Sequence, residues 1–189
     1  MKITCILGSP RKNGNSAAIA GRFVQVAESL GATSETFVLN ELKFSGCQAC
    51  MACKGKLDTC GVEDDLTRVF ASMRTADIIV AATPVYSGYA SGQFKCFMDR
   101  CYSFLAPDYI TNPQPSRMPS GKKAVVITSQ GNPNPSLFDD LVNRLQTWVK
   151  RNWRADEAHV IKGYGSLGPD TVLEPFLKQA EDLARSMCA

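Results

Sequence analysis

Histidine is almost missing from this chain of 189 residues. The single histidine, His159, has no neighbours in the sequence that complete a metal site or a catalytic set with it. We therefore interpret His159 as a structural or surface residue.

Long apolar runs and a strong excess of one charge are also missing. The first apolar run, residues 3–7, ends at Gly8 and is shorter than a signal-peptide core or a membrane span. We therefore expect a cytoplasmic protein whose cysteines stay reduced. The 21 basic and 18 acidic residues give a net charge of +3 without a long basic run, which disfavours nucleic acids and membrane surfaces as partners.

Apolar segments of strand type alternate with amphipathic segments of helix type along the whole chain, and an apolar fraction of 44% suffices for the core of a single domain. The predicted strands cover residues 2–7, 33–39, 77–82, 123–128 and 157–161, and the predicted helices cover residues 16–30, 63–75, 91–105, 135–151 and 169–187. Strands such as 78–82 are apolar without alternation, which is typical of parallel strands covered on both faces.

This pattern predicts an α/β fold: a flavodoxin-like, doubly wound, five-stranded parallel sheet with the order 2-1-3-4-5, in three α/β/α layers over residues 1–189. Ligands of such sheets bind beyond the carboxyl ends of the strands, near the point where the strand order reverses. The functional loops should therefore follow the first, third and fourth strands.

Half of the eight cysteines lie in a long insertion, residues 40–62, after the second strand. The spacing is CxxCxxC, then six residues and a fourth cysteine, which gives Cys47, Cys50, Cys53 and Cys60. Crowded thiolates repel one another, so the pattern indicates a soft metal ion, an iron–sulfur cluster or redox chemistry. We interpret the others as buried or surface thiols of strands and helices: Cys5, Cys96, Cys101 and Cys188.

The loop after the first strand, residues 8–16, reads Gly-Ser-Pro-Arg-Lys-Asn-Gly-Asn-Ser and leads into a helix that Asn15 or Ser16 is expected to cap. Backbone amides at a helix start, together with hydroxyls and a guanidinium, suit a phosphate. The glycine patterns of dinucleotide and nucleotide-triphosphate loops are missing, so a mononucleotide phosphate fits better. An ordinary capped turn is the alternative.

Two further loops are expected at the same edge of the sheet. The loop after the third strand, residues 83–93, consists of small residues and two tyrosines and can lie flat against a flavin ring, with Tyr86 on or beside it. A strand-to-helix turn with incidental aromatic residues is the alternative. The loop after the fourth strand offers Ser129, Gln130 and Gly131 to the pyrimidine end of a flavin. Taken alone, this loop is a weak signal of flavin binding. It gains weight because all three loops are expected at one edge of the sheet.

Three segments resemble a known family. The loop GSPRKNGNS, the segment TPVYSGYASGQFKCFMDR and the CxxCxxC…C insertion are similar to the NADPH-dependent FMN reductase family of flavodoxin-like proteins, and in particular to its iron–sulfur flavoprotein branch. The resemblance implies FMN bound at its phosphate by Ser9, Arg11, Asn15 and Ser16, and at its ring by Pro84, Val85, Tyr86, Ser87 and Gly88. It also implies a [4Fe-4S] cluster on Cys47, Cys50, Cys53 and Cys60. We assign the catalytic position to Tyr86, beside the ring.

The cysteine spacing helps to separate the possible ligands. Zinc sites usually divide their ligands into two pairs a dozen or more residues apart, so zinc is disfavoured. A CxxCxxC run can meet three corners of a [4Fe-4S] cube, and the six-residue arm, eased by Gly55, can return Cys60 to the fourth corner. Thiol redox chemistry, adventitious metal and a structural role without metal stay open.

The leading hypothesis is an FMN-dependent oxidoreductase that accepts electrons from NAD(P)H or a reduced carrier and passes them to a small-molecule or protein acceptor. One alternative is a plain FMN or quinone reductase without a cluster, and the other is a non-catalytic electron carrier or redox sensor. We also expect a homodimer or homotetramer, because a partner subunit often covers an exposed flavin edge.

Overall fold

A parallel β-sheet with helices on both faces forms the centre of the molecule. The computed structural model describes residues 1–166 and 173–188. The strands are β1 (Lys2–Leu7), β2 (Thr33–Val38), β3 (Ile78–Tyr86), β4 (Tyr89–Ala90), β5 (Lys122–Ser129) and β6 (Ala155–Gly163). Five of them pair in the order β2-β1-β3-β5-β6, and the short β4 pairs antiparallel with the end of β3. Counted over the parallel strands, the predicted order 2-1-3-4-5 is confirmed.

In the part of the chain that the structure describes, five α-helices cover the sheet: α1 (Asn15–Ser29), α2 (Leu66–Thr75), α3 (Gly92–Arg100), α4 (Asp139–Trp153) and α5 (Glu174–Cys188). Successive strand residues face opposite sides, so Val80 packs in one core with α1 and α5, while Ile79 packs in the other with α2, α3 and α4. This explains why the strands are apolar without alternation. None of the described helices is long and apolar enough to cross a membrane.

Several predicted boundaries are shifted. The helix predicted at residues 63–75 begins at Leu66, because Asp64 Oδ1 accepts a hydrogen bond from the Leu66 amide at 3.0 Å. The helix predicted at 91–105 ends at Arg100 and continues as a short 3-10 helix, Cys101–Phe104. The helix predicted at 135–151 spans Asp139–Trp153. The start predicted at residue 169 lies outside the described residues.

The third strand is longer than predicted and includes four residues expected in a loop, 83–86. Pro84 and Val85 belong to β3, where Pro84 pairs with Ser129 of β5. On its other side β3 is paired with β1 only as far as Ala82, so a residue without an N–H group is tolerated at Pro84. As a result, a regular strand borders the edge of the sheet where ligands are expected.

Candidate cofactor cleft and cysteine hollow

The loops after β1 and β5 and the carboxyl end of β3 converge on one cleft of about 160 Å³ at the carboxyl edge of the sheet. Nine of the residues predicted to bind the cofactor line this cleft: Ser9, Arg11, Asn15, Ser16, Pro84, Val85, Tyr86, Ser129 and Gly131. Gly14 and Ser166 line it as well. The structure therefore brings together residues that are up to 157 positions apart, from Ser9 to Ser166, as expected for a doubly wound sheet.

The loop after β1 forms a tight cradle at the start of α1. Ser9 Oγ accepts a hydrogen bond from the Arg11 amide at 3.1 Å, and the Gly14 amide donates to the Arg11 carbonyl at 3.0 Å. A Cβ atom on Gly14 would lie 2.8 Å from Ser9 Oγ, so glycine is needed for this close approach. The predicted cap was wrong: Gly14 is the N-cap residue, and Asn15 and Ser16 lie inside the first turn.

The position of Asn15 and Ser16 suits an anion. N–H groups of the first helical turn have no partner within the helix, and the helix dipole adds partial positive charge there. The first turn of α1 contains no acidic residue. In the part of the chain that the structure describes, no carboxylate pairs with the exposed Arg11, whereas Lys12 pairs with Glu41 at 3.2 Å. The cradle thus fits a phosphate group.

Buried hydrogen bonds hold this cradle against the loop after β3. Ser91 Oγ caps α3 by accepting a hydrogen bond from the Phe94 amide at 3.3 Å, and it donates to the Gly8 carbonyl. The Ser91 amide donates to Thr83 Oγ1 at 3.0 Å. A Cβ atom on Gly8 would lie 2.7 Å from Phe94 Cβ. These contacts join the start of the loop after β1 to the end of β3 and the start of α3.

Three of the predicted cofactor residues do not line the cleft. Ser87 and Gly88, with φ angles of 50° and 80°, form the two-residue turn of the β3–β4 hairpin. Two successive left-handed residues are the geometry of a type I′ turn. The side chain of Gln130 donates to the carbonyls of Asn132 and Asn134, at 3.1 and 2.7 Å, and so orders its own loop.

Ser166, which the sequence analysis missed, comes from a fourth loop, after β6. Its carbonyl accepts from Asn15 Nδ2 at 3.1 Å, and its hydroxyl donates to the Gln130 carbonyl at 2.7 Å. The available signal was the run Gly163-Tyr164-Gly165-Ser166 at the end of the last strand, because this loop reaches the same edge of the sheet. From the sequence alone, Gly14 can be recognised only as a turn residue and not as part of the cleft.

All four cysteines of the insertion line a second, small hollow of about 20 Å³. Cys47 and Cys50 are exposed, Cys53 is buried and Cys60 is half-buried. Within residues 1–166 and 173–188, however, no three Cys, His, Asp or Glu side chains are placed to hold a metal ion. The four thiols therefore share a hollow without forming a closed ligand set.

Arg100 closes one side of this hollow. The guanidinium is 1% exposed and donates to Cys60 Sγ at 3.1 Å, to Asp64 at 2.6 Å and to the carbonyls of Ser45 and Val62 at 2.9 and 2.8 Å. Burial lowers the pKa of Arg100, but the hydrogen bonds to Asp64 and Cys60 outweigh it, and the pKa is raised. Arg100 thus stays charged and connects both ends of the cysteine segment to α3.

A second cation, Lys54, lies beside Cys53. Lys54 Nζ is 3.7 Å from Cys53 Sγ and donates to the carbonyls of Tyr102 and Leu105 at 2.6 and 2.7 Å. Two of the four sulfurs therefore have a cationic neighbour that can compensate the negative charge of thiolate ligands. Four cysteines with two cations beside them fit an iron–sulfur cluster better than a segment with a purely structural role.

The buried cysteines outside the insertion agree with their interpretation as core residues. Cys5 and Cys101 are fully buried in the two cores. Burial raises the pKa of the Cys5 thiol to about 12 and that of Cys101 well above its usual value. Neither thiol is therefore suited to redox chemistry at neutral pH.

Comparison with known proteins agrees with this architecture. The family model described as NADPH-dependent FMN reductase matches residues 1–155. The iron-sulfur flavoprotein of Methanosarcina thermophila is 40% identical over 100 residues, which are 53% of this chain and 52% of that protein. The chain spans about half the length of the curated relatives it matches.

Solved structures share the fold at low identity. An NAD(P)H:quinone oxidoreductase from Methanothermobacter marburgensis superposes with a TM-score of 0.76 at 16% identity, over 99% of this chain and 96% of that chain. An FMN-dependent NADH-azoreductase from Bacillus anthracis, in complex with FMN, gives 0.72 at 16% identity, over 100% of both chains. The resemblance seen in the sequence is confirmed, and because the family model matches residues 1–155, which include the loop after β1, the end of β3 and the insertion, the chain belongs to the NADPH-dependent FMN reductase family.

Proposed function

We propose that this chain is an FMN-dependent oxidoreductase that takes electrons from NAD(P)H or a reduced carrier and passes them to a small-molecule or protein acceptor. The observation that supports this most strongly is the convergence of three predicted loops on one cleft with a phosphate cradle at its end. FMN supplies the hydride and single-electron chemistry, so the protein has only to bind and orient it.

Each part of the cleft has a role in this proposal. Ser9, Arg11, Asn15 and Ser16 bind the phosphate through hydroxyls, the guanidinium and the first-turn amides. The ring lies along Pro84, Val85 and Tyr86, with Ser129 and Gly131 on the other side. Tyr86, 42% exposed at the mouth, takes the catalytic position beside the ring. Ser87, Gly88 and Gln130 act indirectly, because they set the hairpin and the β5 loop.

We further propose that Cys47, Cys50, Cys53 and Cys60 hold a [4Fe-4S] cluster, which adds a one-electron centre to the two-electron flavin. The shared hollow and the cations Arg100 and Lys54 support this assignment. A homodimer or homotetramer is part of the proposal, because Tyr86 and Tyr89, 42% and 64% exposed, leave an aromatic hairpin uncovered beside the cleft.

A second candidate function is a plain NAD(P)H-dependent FMN or quinone reductase without a cluster. It is favoured by one observation, that the described residues contain no ready group of three metal ligands. Absorbance beyond the flavin bands in fully oxidised protein purified without oxygen separates the two functions, because an iron–sulfur centre absorbs there and an oxidised flavin does not.

The flavin that copurifies is expected to be FMN and not FAD. The cradle between Ser9 and Ser16 offers one phosphate site, and the glycine pattern that admits a pyrophosphate is missing. Heat release of the flavin, followed by chromatography against both standards, measures this. FAD as the main released species would contradict the assignment of the cleft.

The double variant Arg11→Ala, Ser16→Ala is expected to bind FMN much more weakly. Each charge-assisted hydrogen bond lost from the phosphate costs about 1.5–3 kcal/mol, or roughly 10- to 150-fold in Kd. Flavin fluorescence titration measures the change. Lys12→Ala is the matched control, because it removes one positive charge from the same loop but Lys12 already pairs with Glu41 at 3.2 Å. An unchanged Kd in the double variant, or an equal loss in the control, would place the phosphate elsewhere.

A further inference from the structure

A third cavity, of about 550 Å³, lies beside the cysteine hollow on the face of the sheet covered by α3 and α4. Its volume is in the range of small-molecule sites. Among the described residues it shares no lining residue with the cofactor cleft, but it shares Cys47, Ala49 and Tyr102 with the cysteine hollow. Nothing in the proposed flavin chemistry uses this cavity.

Aromatic side chains form much of its wall. The rings of Tyr102 and Tyr109 meet edge to face with centroids 5.5 Å apart, and Lys54 Nζ lies 3.8 Å from the centroid of the Tyr102 ring. In α4, the ring of Trp148 packs against the ring of the fully buried Trp153, with centroids 5.1 Å apart. Rings held by such neighbours need little ordering when a ligand binds, which favours a flat aromatic molecule.

The charge at the cavity is positive. Arg151 Nη2 donates one hydrogen bond, to the Tyr109 carbonyl at 3.0 Å, and no carboxylate of residues 1–166 or 173–188 forms an ion pair with this guanidinium. Asp99 also lines the cavity, but its carboxylate is bound to Lys95 at 2.6 and 2.8 Å. Arg151 therefore has donors available for an anionic group.

We propose that this cavity binds a planar aromatic anion of two or three fused rings. The rings stack among Tyr102, Tyr109 and Trp148, and the anionic group meets Arg151. A ligand seated there lies against Cys47, so the site gives a planar compound access to the cysteine segment from the side away from the cofactor cleft. Binding itself requires neither FMN nor a cluster.

The test is a calorimetric titration of the FMN-loaded protein with anthraquinone-2-sulfonate, a planar sulfonated probe. We expect saturable binding that is weakened at least tenfold in Arg151→Gln, because the sulfonate loses a charge-assisted partner. Arg144→Gln is the matched control, since Arg144 is an exposed residue of the same helix that pairs with Asp140 at 2.9 Å. Tyr109→Ala, on a different segment, should also weaken binding, and a planar aromatic cation such as acridine orange should not bind here.

Four results would overturn the proposal. One is a lack of saturable binding. Another is an affinity for the probe that falls in Tyr86→Ala, a variant of the cofactor cleft, and does not fall in Arg151→Gln. The third is a change of sedimentation coefficient in Arg151→Gln and Trp148→Leu without probe binding, which would make this cavity an interface between two copies of the chain. An equal effect of Arg144→Gln would show that only net charge matters and would also reject the site.

Discussion

Replacement of Cys60 by alanine is expected to remove iron and sulfide from the protein and to leave its FMN content unchanged. Cys60 is the proposed ligand from the far end of the insertion, and its sulfur is the one that Arg100 contacts at 3.1 Å. Loss of one corner ligand prevents assembly of the cube, so iron should fall from about four atoms per chain to nearly none. The phosphate cradle lies in a separate cleft and is untouched. Iron, sulfide and flavin are counted in protein prepared without oxygen.

Cys188→Ala is the matched control for this experiment. Its thiol is also half-buried, but it lies in α5, beside the core on the other face of the sheet. The control should keep its full iron content. Equal iron in the wild type and in Cys60→Ala would reject the cluster and leave the plain reductase. A difference between the wild type and Cys60→Ala that appears only after oxidation would indicate a thiol switch.

Arg100→Leu is expected to lower the free energy of unfolding by about 3–5 kcal/mol, the usual cost of leaving one partner of a buried ion pair alone. Asp64 loses a bidentate partner, and the carbonyls of Ser45 and Val62 lose their donor. Urea denaturation with excess FMN measures the change. Arg144→Leu breaks an exposed pair, with side chains 59% and 68% exposed, and should cost less than about 1 kcal/mol. Similar losses in the two variants would contradict this role of Arg100.

The stability gap between wild type and Arg100→Leu should also depend on pH. Burial raises the pKa of Asp64, but hydrogen bonds from Arg100 and the Leu66 amide outweigh it and hold the pKa below its ordinary value of 3.8. A lowered pKa in the folded state stabilises the protein above that value, and this contribution is lost as the pH falls through the folded-state pKa. The gap should therefore narrow below pH 3.8. A gap that stays constant into this acid range would show that the carboxylate is not the partner at stake.

The sheet and the main edge of the cleft could be predicted from the sequence because their signals are local. Apolar runs such as 78–82 identify buried parallel strands, and strand order then places the loops after β1, β3 and β5 together. The turn at Ser87 and Gly88 was less visible, because serine rarely adopts the left-handed conformation that it has here, with φ of 50°. The family resemblance places these two residues at the flavin ring, and the structure shows that they form the turn of the β3–β4 hairpin.

Contacts between distant residues could not be predicted in the same way. Arg100 reads as an ordinary basic residue near a helix end, and its contacts with Cys60 and Asp64, 40 and 36 positions away, arise only when the insertion folds against α3. The start of α2 depends on the same contact, because Asp64 lies between Arg100 and the Leu66 amide. Lys54 likewise finds the carbonyls of Tyr102 and Leu105, about 50 residues away, through tertiary packing.

The most direct test of a flavin working beside a cysteine-bound cluster is the absorption spectrum of anaerobically purified protein, together with counts of FMN, iron and acid-labile sulfide per chain. The expected result is one FMN with about four iron and four sulfide, and broad absorbance beyond the flavin bands that bleaches when the protein is reduced. Protein that contains FMN but no iron or sulfide would contradict the cluster, and protein that contains neither flavin nor iron and takes up no added FMN would contradict the function as a whole.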